Sequence, residues 1–191
     1  MIAAIVLAAG LARRMGRQKL LLDLKGKPVV RWSIEAVLAH VDDCVVVTGH
    51  DDGAVRAALT GLIVRYAVNP RPEDGQGSSI ATGVAALASP TTETLVALGD
   101  QPLTPPDVVP RLLAARRASA KAIAAPSYRG TRGTPVVFGA EVFPELRALA
   151  GDSGARDVVA ARPERVAIVD FDVAMPADVD TPEDLARLHV Q

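Results

Sequence analysis

Four cations crowd into the stretch that follows the first apolar run of this chain. They are Arg13, Arg14, Arg17 and Lys19, with Gly16 among them to permit a tight bend. Ahead of them, Ala8, Ala9 and Gly10 keep side chains small, so backbone N–H and C=O groups can approach a flat or phosphorylated ligand closely. Guanidinium and ammonium donors placed directly after such a backbone cradle suit phosphate oxygens. A second signal lies far along the chain, where Asp100 follows the apolar segment Thr94–Leu98 within Gly99-Asp100-Gln101-Pro102. A lone carboxylate just past a buried parallel strand stands where open α/β sheets place their ligands, and it suits a hard divalent cation bridging phosphates. A turn aspartate bonded to its own backbone is the plain alternative. Between these two signals, Asn69–Ser79 (NPRPEDGQGSS) puts two hydroxyls before a helical pattern, either as caps or as polar contacts for a nucleoside or phosphate.

The elements that must position these groups follow from hydrophobic periodicity. Ile2–Leu7 is a short, β-branched apolar run of the kind buried on both faces in the middle of a parallel sheet. Leu20–Leu24 reads as a short extended segment, Lys25–Pro28 as a turn and Pro28–His40 as an amphipathic crossover helix. Further strands are expected at Cys44–Thr48, Leu62–Val68, Thr94–Leu98, Ala122–Tyr128, Val136–Phe138 and Val166–Phe171. Helices are expected at Ala54–Leu59, Ile80–Leu87, Pro106–Arg117, Glu141–Leu149 and Gly154–Ala161. Thr181 as N-cap, Pro182 at the first helical position and Glu183 and Asp184 in the first turn start a terminal helix. That start leaves Asp178 and Asp180 without a role. Repeated β-α-β alternation predicts an α/β fold, a mostly parallel sheet with helices on both faces.

Composition bounds the function. The 191 residues suit a single domain, and a net charge of −1 argues against general nucleic-acid binding or a polybasic membrane surface. Any affinity for phosphate must therefore be local. No apolar run approaches the roughly 20 residues of a membrane-spanning helix. The positive charges follow the first apolar run instead of preceding it, the wrong polarity for a signal peptide. Cys44 is the only cysteine, which leaves neither a disulfide nor a cysteine metal cluster and fits a reducing cytoplasm. A dinucleotide fingerprint is absent too, since the first loop offers only Gly10 and Gly16 with arginines between them.

The stretch LAAGLARRMGRQKLLL resembles the signature LAAG-x-S-x-R-M-G-x-x-K of nucleotidyltransferases with the nucleotide-diphospho-sugar transferase fold. The later segments DGQGSSIATGVAAL, LGDQPL, PSYRGTRGTPVVF, GDSGARDVV and DVDTPEDLARL, in that order, look most like the molybdenum cofactor cytidylyltransferases and their guanylyltransferase relatives. The resemblance spans essentially the whole chain. It implies one domain over 1–191 with a three-layer α/β/α, Rossmann-like fold. It also implies transfer of a nucleoside monophosphate from CTP, or GTP, to the terminal phosphate of molybdenum-loaded molybdopterin, with release of pyrophosphate and delivery to a recipient molybdoenzyme. On the family pattern Leu7, Ala8, Ala9 and Gly10 hold the base, and Arg14 and Lys19 hold the triphosphate. Ser79 and Gly83 contact the nucleoside, Asp100 and Asp180 hold Mg²⁺, and Arg132-Gly133-Thr134-Pro135 faces the pterin. Two residues depart from the pattern: Ala12 stands for the usual serine, and Thr134 for the usual histidine of the acceptor-facing loop.

Such a transfer demands alignment and charge neutralisation more than covalent help from the protein. The acceptor phosphate is already an anion at neutral pH. No general base is required, in keeping with the placing of His40 and His189 in or beside helices and of His50 in a turn. The methyl of Ala9, where guanylyltransferase relatives tend to have glycine, narrows the base site and favours a pyrimidine by about 1–3 kcal/mol. A sugar-phosphate or polyol-phosphate acceptor on the same fold is a second reading. A non-catalytic nucleotide-binding chaperone for a molybdoenzyme is a third, distinguished by tight CTP binding without turnover.

Overall fold

The computed structural model describes residues 1–10 and 18–190. The basic loop that carries Arg13, Arg14, Gly16 and Arg17 lies outside the described residues. In chain order the elements are β1 (Ile2–Ala8), a 3-10 turn at Lys19–Leu21, a hairpin of β2 (Asp23–Leu24) and β3 (Lys27–Pro28), α1 (Val29–Leu38), β4 (Asp43–Thr48), α2 (Asp52–Ala58) and β5 (Arg65–Val68). There follow α3 (Gln76–Ala85), β6 (Glu93–Leu98), α4 (Val108–Ser119), β7 (Ile123–Tyr128), β8 (Thr131–Arg132) and β9 (Val136–Gly139). The chain continues with α5 (Phe143–Arg147), α6 (Ala155–Ala161), β10 (Val166–Phe171) and α7 (Pro182–Val190).

The main sheet has the order β10-β7-β9-β6-β1-β4-β5, with β8 paired to β7. Strand β1 lies between β4 and β6, parallel to both, with Leu7 opposite Val47 on one side and Leu98 on the other. Strand β9 is antiparallel to β6 and to β7. Since β10 is parallel to β7, the carboxyl ends of β1, β4, β5, β6, β7 and β10 all point to one edge of the sheet.

Side chains that alternate along β1 go to two different cores, as the two-residue period of a strand requires. Ala4 and Val6 pack with Val30 and Ile34 of α1, Val55 of α2 and Leu112 of α4. Ile5 packs on the other face with Ile80 and Val84 of α3, Leu146 of α5 and Val158 of α6. A strand covered on both sides must be apolar throughout, which explains the unbroken run at the amino terminus. A smaller cluster of Leu24, Val29, Val179 and Leu188 fastens α7 to the β2-β3 hairpin. The start of α7 is as expected: the Asp184 N–H donates to Thr181 Oγ1 at 3.2 Å and the Thr181 N–H to Asp184 Oδ2 at 2.9 Å.

Most helix boundaries shift by one or two residues from the sequence reading, and three differences have a plain physical cause. Helix α3 begins at Gln76, so Ser78 and Ser79 lie inside its first turn instead of ahead of it. Gly75, at φ +91, makes the reversal that lets the helix start there. Of Leu62–Val68, only Arg65–Val68 joins β4, because the Leu62 N–H is spent on the Leu59 carbonyl at the end of α2. In Leu20–Leu24 only the last two residues are extended, the Leu21 and Leu22 N–H groups closing a 3-10 turn onto Gln18 and Lys19. Cys44 is buried as expected, and burial pushes its thiol up to about 12. No helix of the described residues is long and apolar enough to cross a membrane.

Candidate active site

The site forms where β1 and β6 end. The Gly99 N–H donates to the Leu7 carbonyl at 2.9 Å, and a Cβ at Gly99 would sit 2.8 Å from that same oxygen. Only glycine allows the chain to leave β6 so close to β1. From α1, the buried Ser33 hydroxyl donates to the Gly99 carbonyl at 2.9 Å and fixes the turn that presents Asp100.

Asp180 reaches Asp100 by a second tether. The Val179 N–H donates to the Asp100 carbonyl at 3.0 Å, and the Val179 side chain is fully buried among Leu24, Val29 and Leu188. Val179 is committed to that core, and its neighbours Asp178 and Asp180 flank it on the side of Gln101 and Lys19.

Lys19 completes the constellation. Buried Leu20 anchors the 3-10 turn, and the Lys19 Nζ donates to Asp100 Oδ2 at 2.5 Å and to Asp180 Oδ1 at 2.6 Å. Only about a fifth of each of the Lys19 and Asp100 side chains remains exposed (17% and 20%). Burial works against the ammonium, but the charge of Asp100 and the hydrogen bonds to Asp100 and Asp180 outweigh it and hold the lysine above its ordinary value. Asp178 is shifted upward by burial first and by the negative charge of Asp100 second. Two carboxylate oxygens that converge on one point form a hard-oxygen pair of the kind that binds Mg²⁺, whose other positions are filled by water and phosphate oxygens. Among the described residues no group of three or more carboxylate, histidine or cysteine side chains could hold a metal by itself. The donor set thus fits a metal that shares its shell with a substrate.

Beside this cluster a cavity of about 260 Å³ opens on the α3/α6 face of the sheet. Leu7, Ile80, Val96, Leu98 and Val136 give it aliphatic walls, and Gln76, Gln101, Arg132, Thr134 and Arg156 bring polar groups to it. Lys19, Asp100 and Asp180 therefore meet at one point, while Leu7, Arg132, Gly133 and Thr134 line the adjoining cavity. Ala8 and Ala9 are buried at the end of β1, and Gly10 has open space where a side chain would be. Pro135 leads from that loop into β9. Arg14 lies outside the described residues.

Two further expected residues have their surroundings elsewhere. A Cβ at Gly83 would lie 2.5 Å from Ile5 Cγ2 and 3.0 Å from Val47 Cγ2, so its place is the contact of α3 with the sheet. Ser79 is buried, and its hydroxyl accepts from Asn69 Nδ2 at 3.0 Å. The sequence reading missed Gln101, Gln76 and Arg156 as lining residues and left Asp178 unassigned. The one available signal was adjacency, since Gln101 follows Asp100 and Asp178 stands two residues before Asp180.

Residues 4–166 match the MobA-like NTP transferase domain. The chain is 30% identical to the purine catabolism protein PucB of Bacillus subtilis, over 94% of this chain and 92% of that protein. It is 31% identical to the molybdenum cofactor guanylyltransferase of Rhodobacter capsulatus, over 97% and 94% of the two chains. Among solved structures, Rv0371C of Mycobacterium tuberculosis in complex with manganese superposes with a TM-score of 0.82 at 30% identity, covering 100% of this chain and 98% of that one. The matched domain spans most of the chain, and this chain belongs to the MobA-like NTP transferase family, a nucleotidyltransferase by fold and by sequence.

Proposed function

We propose that this nucleotidyltransferase moves CMP from CTP to the terminal phosphate of molybdenum-loaded molybdopterin and releases pyrophosphate. The observation that carries the reading is the meeting of Lys19, Asp100 and Asp180, drawn from three distant parts of the chain. Asp100 and Asp180 would hold Mg²⁺, which when bound neutralises phosphate oxygens. Lys19 then serves the triphosphate, its flexible ammonium passing from the carboxylates to the departing pyrophosphate, together with Arg14. Leu7, Ala8, Ala9 and Gly10 form the backbone edge for the base, and the loop Arg132-Gly133-Thr134-Pro135 faces the acceptor. The protein's part is to bind, align and exclude water, since the acceptor phosphate needs no proton removed.

The name of the Rhodobacter relative favours a second reading of the same site, guanylyl transfer to the same acceptor. One assay separates the two: pyrophosphate release with Mg²⁺ and molybdenum-loaded molybdopterin, run with CTP, GTP and ATP in turn. Turnover with CTP above the other two is expected, and Asp100→Ala abolishes it. Turnover with GTP alone would establish the guanylyl reading. Tight nucleotide binding without turnover on any acceptor would replace catalysis with a carrier role.

A further inference from the structure

Gln101 joins the two parts of the site. It follows Asp100 in the chain, is only 5% exposed, and lines the cavity. Its Nε2 donates to Asp178 Oδ1 at 2.8 Å and, more weakly, to the Pro176 carbonyl at 3.5 Å. With the amide nitrogen on Asp178, the amide oxygen faces the other way. That oxygen accepts from the hydroxyl of Thr134. The single proton of Thr134 is thereby committed to Gln101, and lone pairs are what its oxygen has left to offer. Thr134 lines the cavity as well, and its loop is held from behind by Tyr128, whose hydroxyl donates to the Thr134 carbonyl at 2.9 Å.

We propose that Asp178 is a positioning residue which, through Gln101, makes the Thr134 hydroxyl a hydrogen-bond acceptor toward the cavity. The wall so formed selects an acceptor substrate that presents N–H donors to it. This rests on the pterin-type acceptor proposed above, because a pterin ring is flat enough for aliphatic walls and carries an exocyclic amino group beside a ring N–H. Asp178 thus acts on the acceptor from a place next to the carboxylates assigned to the metal, and its own oxygen is engaged with Gln101.

The test is a fluorescence titration with pterin-6-carboxylate, paired with Mn²⁺ titration followed by electron paramagnetic resonance. Thr134→Val weakens pterin binding about tenfold, the loss of one hydrogen bond to a buried partner, whereas Thr134→Ser binds as the wild type does. Thr134→Ala replaces the valine variant should that one not fold. Asp178→Ala weakens pterin binding by a similar factor and leaves Mn²⁺ affinity unchanged. The double variant binds no worse than Thr134→Val alone, because both changes break the same chain of bonds. Wild-type pterin affinity in Thr134→Val, additive losses in the double variant, or a loss of Mn²⁺ affinity in Asp178→Ala would each overturn the inference while leaving the acceptor reading in place. A wild-type protein that binds no pterin would remove the acceptor reading and this inference with it.

Discussion

A carboxylate stands at each end of strand β6, and the two are treated differently. Glu93, at its start, sits between two guanidinium groups, Arg116 at 2.8 Å and Arg117 at 2.7 Å, and Arg116 reaches Glu141 as well at 3.2 Å. Asp100, just past the other end, shares a single ammonium with Asp180. The Glu93 cluster takes both its arginines from consecutive positions of α4 and clamps that helix to the sheet. The Asp100 cluster takes its members from three remote segments, and its cation is a lysine, a compact charge on a flexible stem that can turn to another anion. The first arrangement is closed and structural. The second is open to exchange, as the phosphate-handling role proposed for it demands.

That contrast can be broken by exchanging which end is damaged. Asp100→Ala should cost about 3–4 kcal/mol of transition-state stabilisation, a hundredfold or more in pyrophosphate release, with little change in thermal melting. Glu93→Ala should do the reverse. Removing it leaves the partly buried Arg116 with Glu141 but without its shorter pair to Glu93, and a loss of roughly 3 kcal/mol in urea unfolding is expected while KM for the nucleotide stays put. Loss of activity without loss of stability in the Glu93 variant would erase the distinction between the two ends. Gly83→Ala sharpens the division further, because the added methyl meets Ile5 and Val47: it should destabilise by about 1–3 kcal/mol and leave nucleotide affinity in the surviving folded protein alone.

The smallest effect concerns pH. Hydrogen bonds from Lys27 and Arg31 hold Glu35 below its ordinary 4.5, and a pair from Arg165 does the same for Glu145. A carboxyl whose folded value is depressed stabilises the fold above its unfolded value, and that share is lost as pH falls through the folded one. Urea midpoints should therefore hold from neutral pH down to about 4.5 and then decline, modestly, because both glutamates are partly exposed.

What the sequence disclosed was local. The run Ile2–Leu7 announced a strand buried on both faces, and Asp100 announced itself by standing directly after another. Thr181 and Pro182 marked a helix start that the structure reproduces. What escaped depended on remote neighbours. The resemblance gives Gly83 as a nucleoside contact, and the packing of Ile5 and Val47 against it is visible only in the fold. The start of α3 is set by the backbone reversal at Gly75, which nothing in the run of polar residues before it specifies. The Asp178-Gln101-Thr134 chain joins positions far apart in sequence, and only the fold brings its members together.

One seam in the molecule bears on how such a protein can be recombined. Gly75 and Gly77, at the start of α3, meet the turn Ala150–Ser153 backbone to backbone: the Gly77 N–H donates to the Gly151 carbonyl at 3.0 Å, and a Cβ at Gly77 would lie 2.7 Å from the Ala150 nitrogen. Gly154 is closed from the other side by the side chain of Gln76. Neither loop tolerates a bulkier residue unless the other retreats. A chimera that grafts the carboxyl-terminal half of a relative onto this amino-terminal half must therefore import both loops as a matched pair, or the graft will gape at the rim of the cavity.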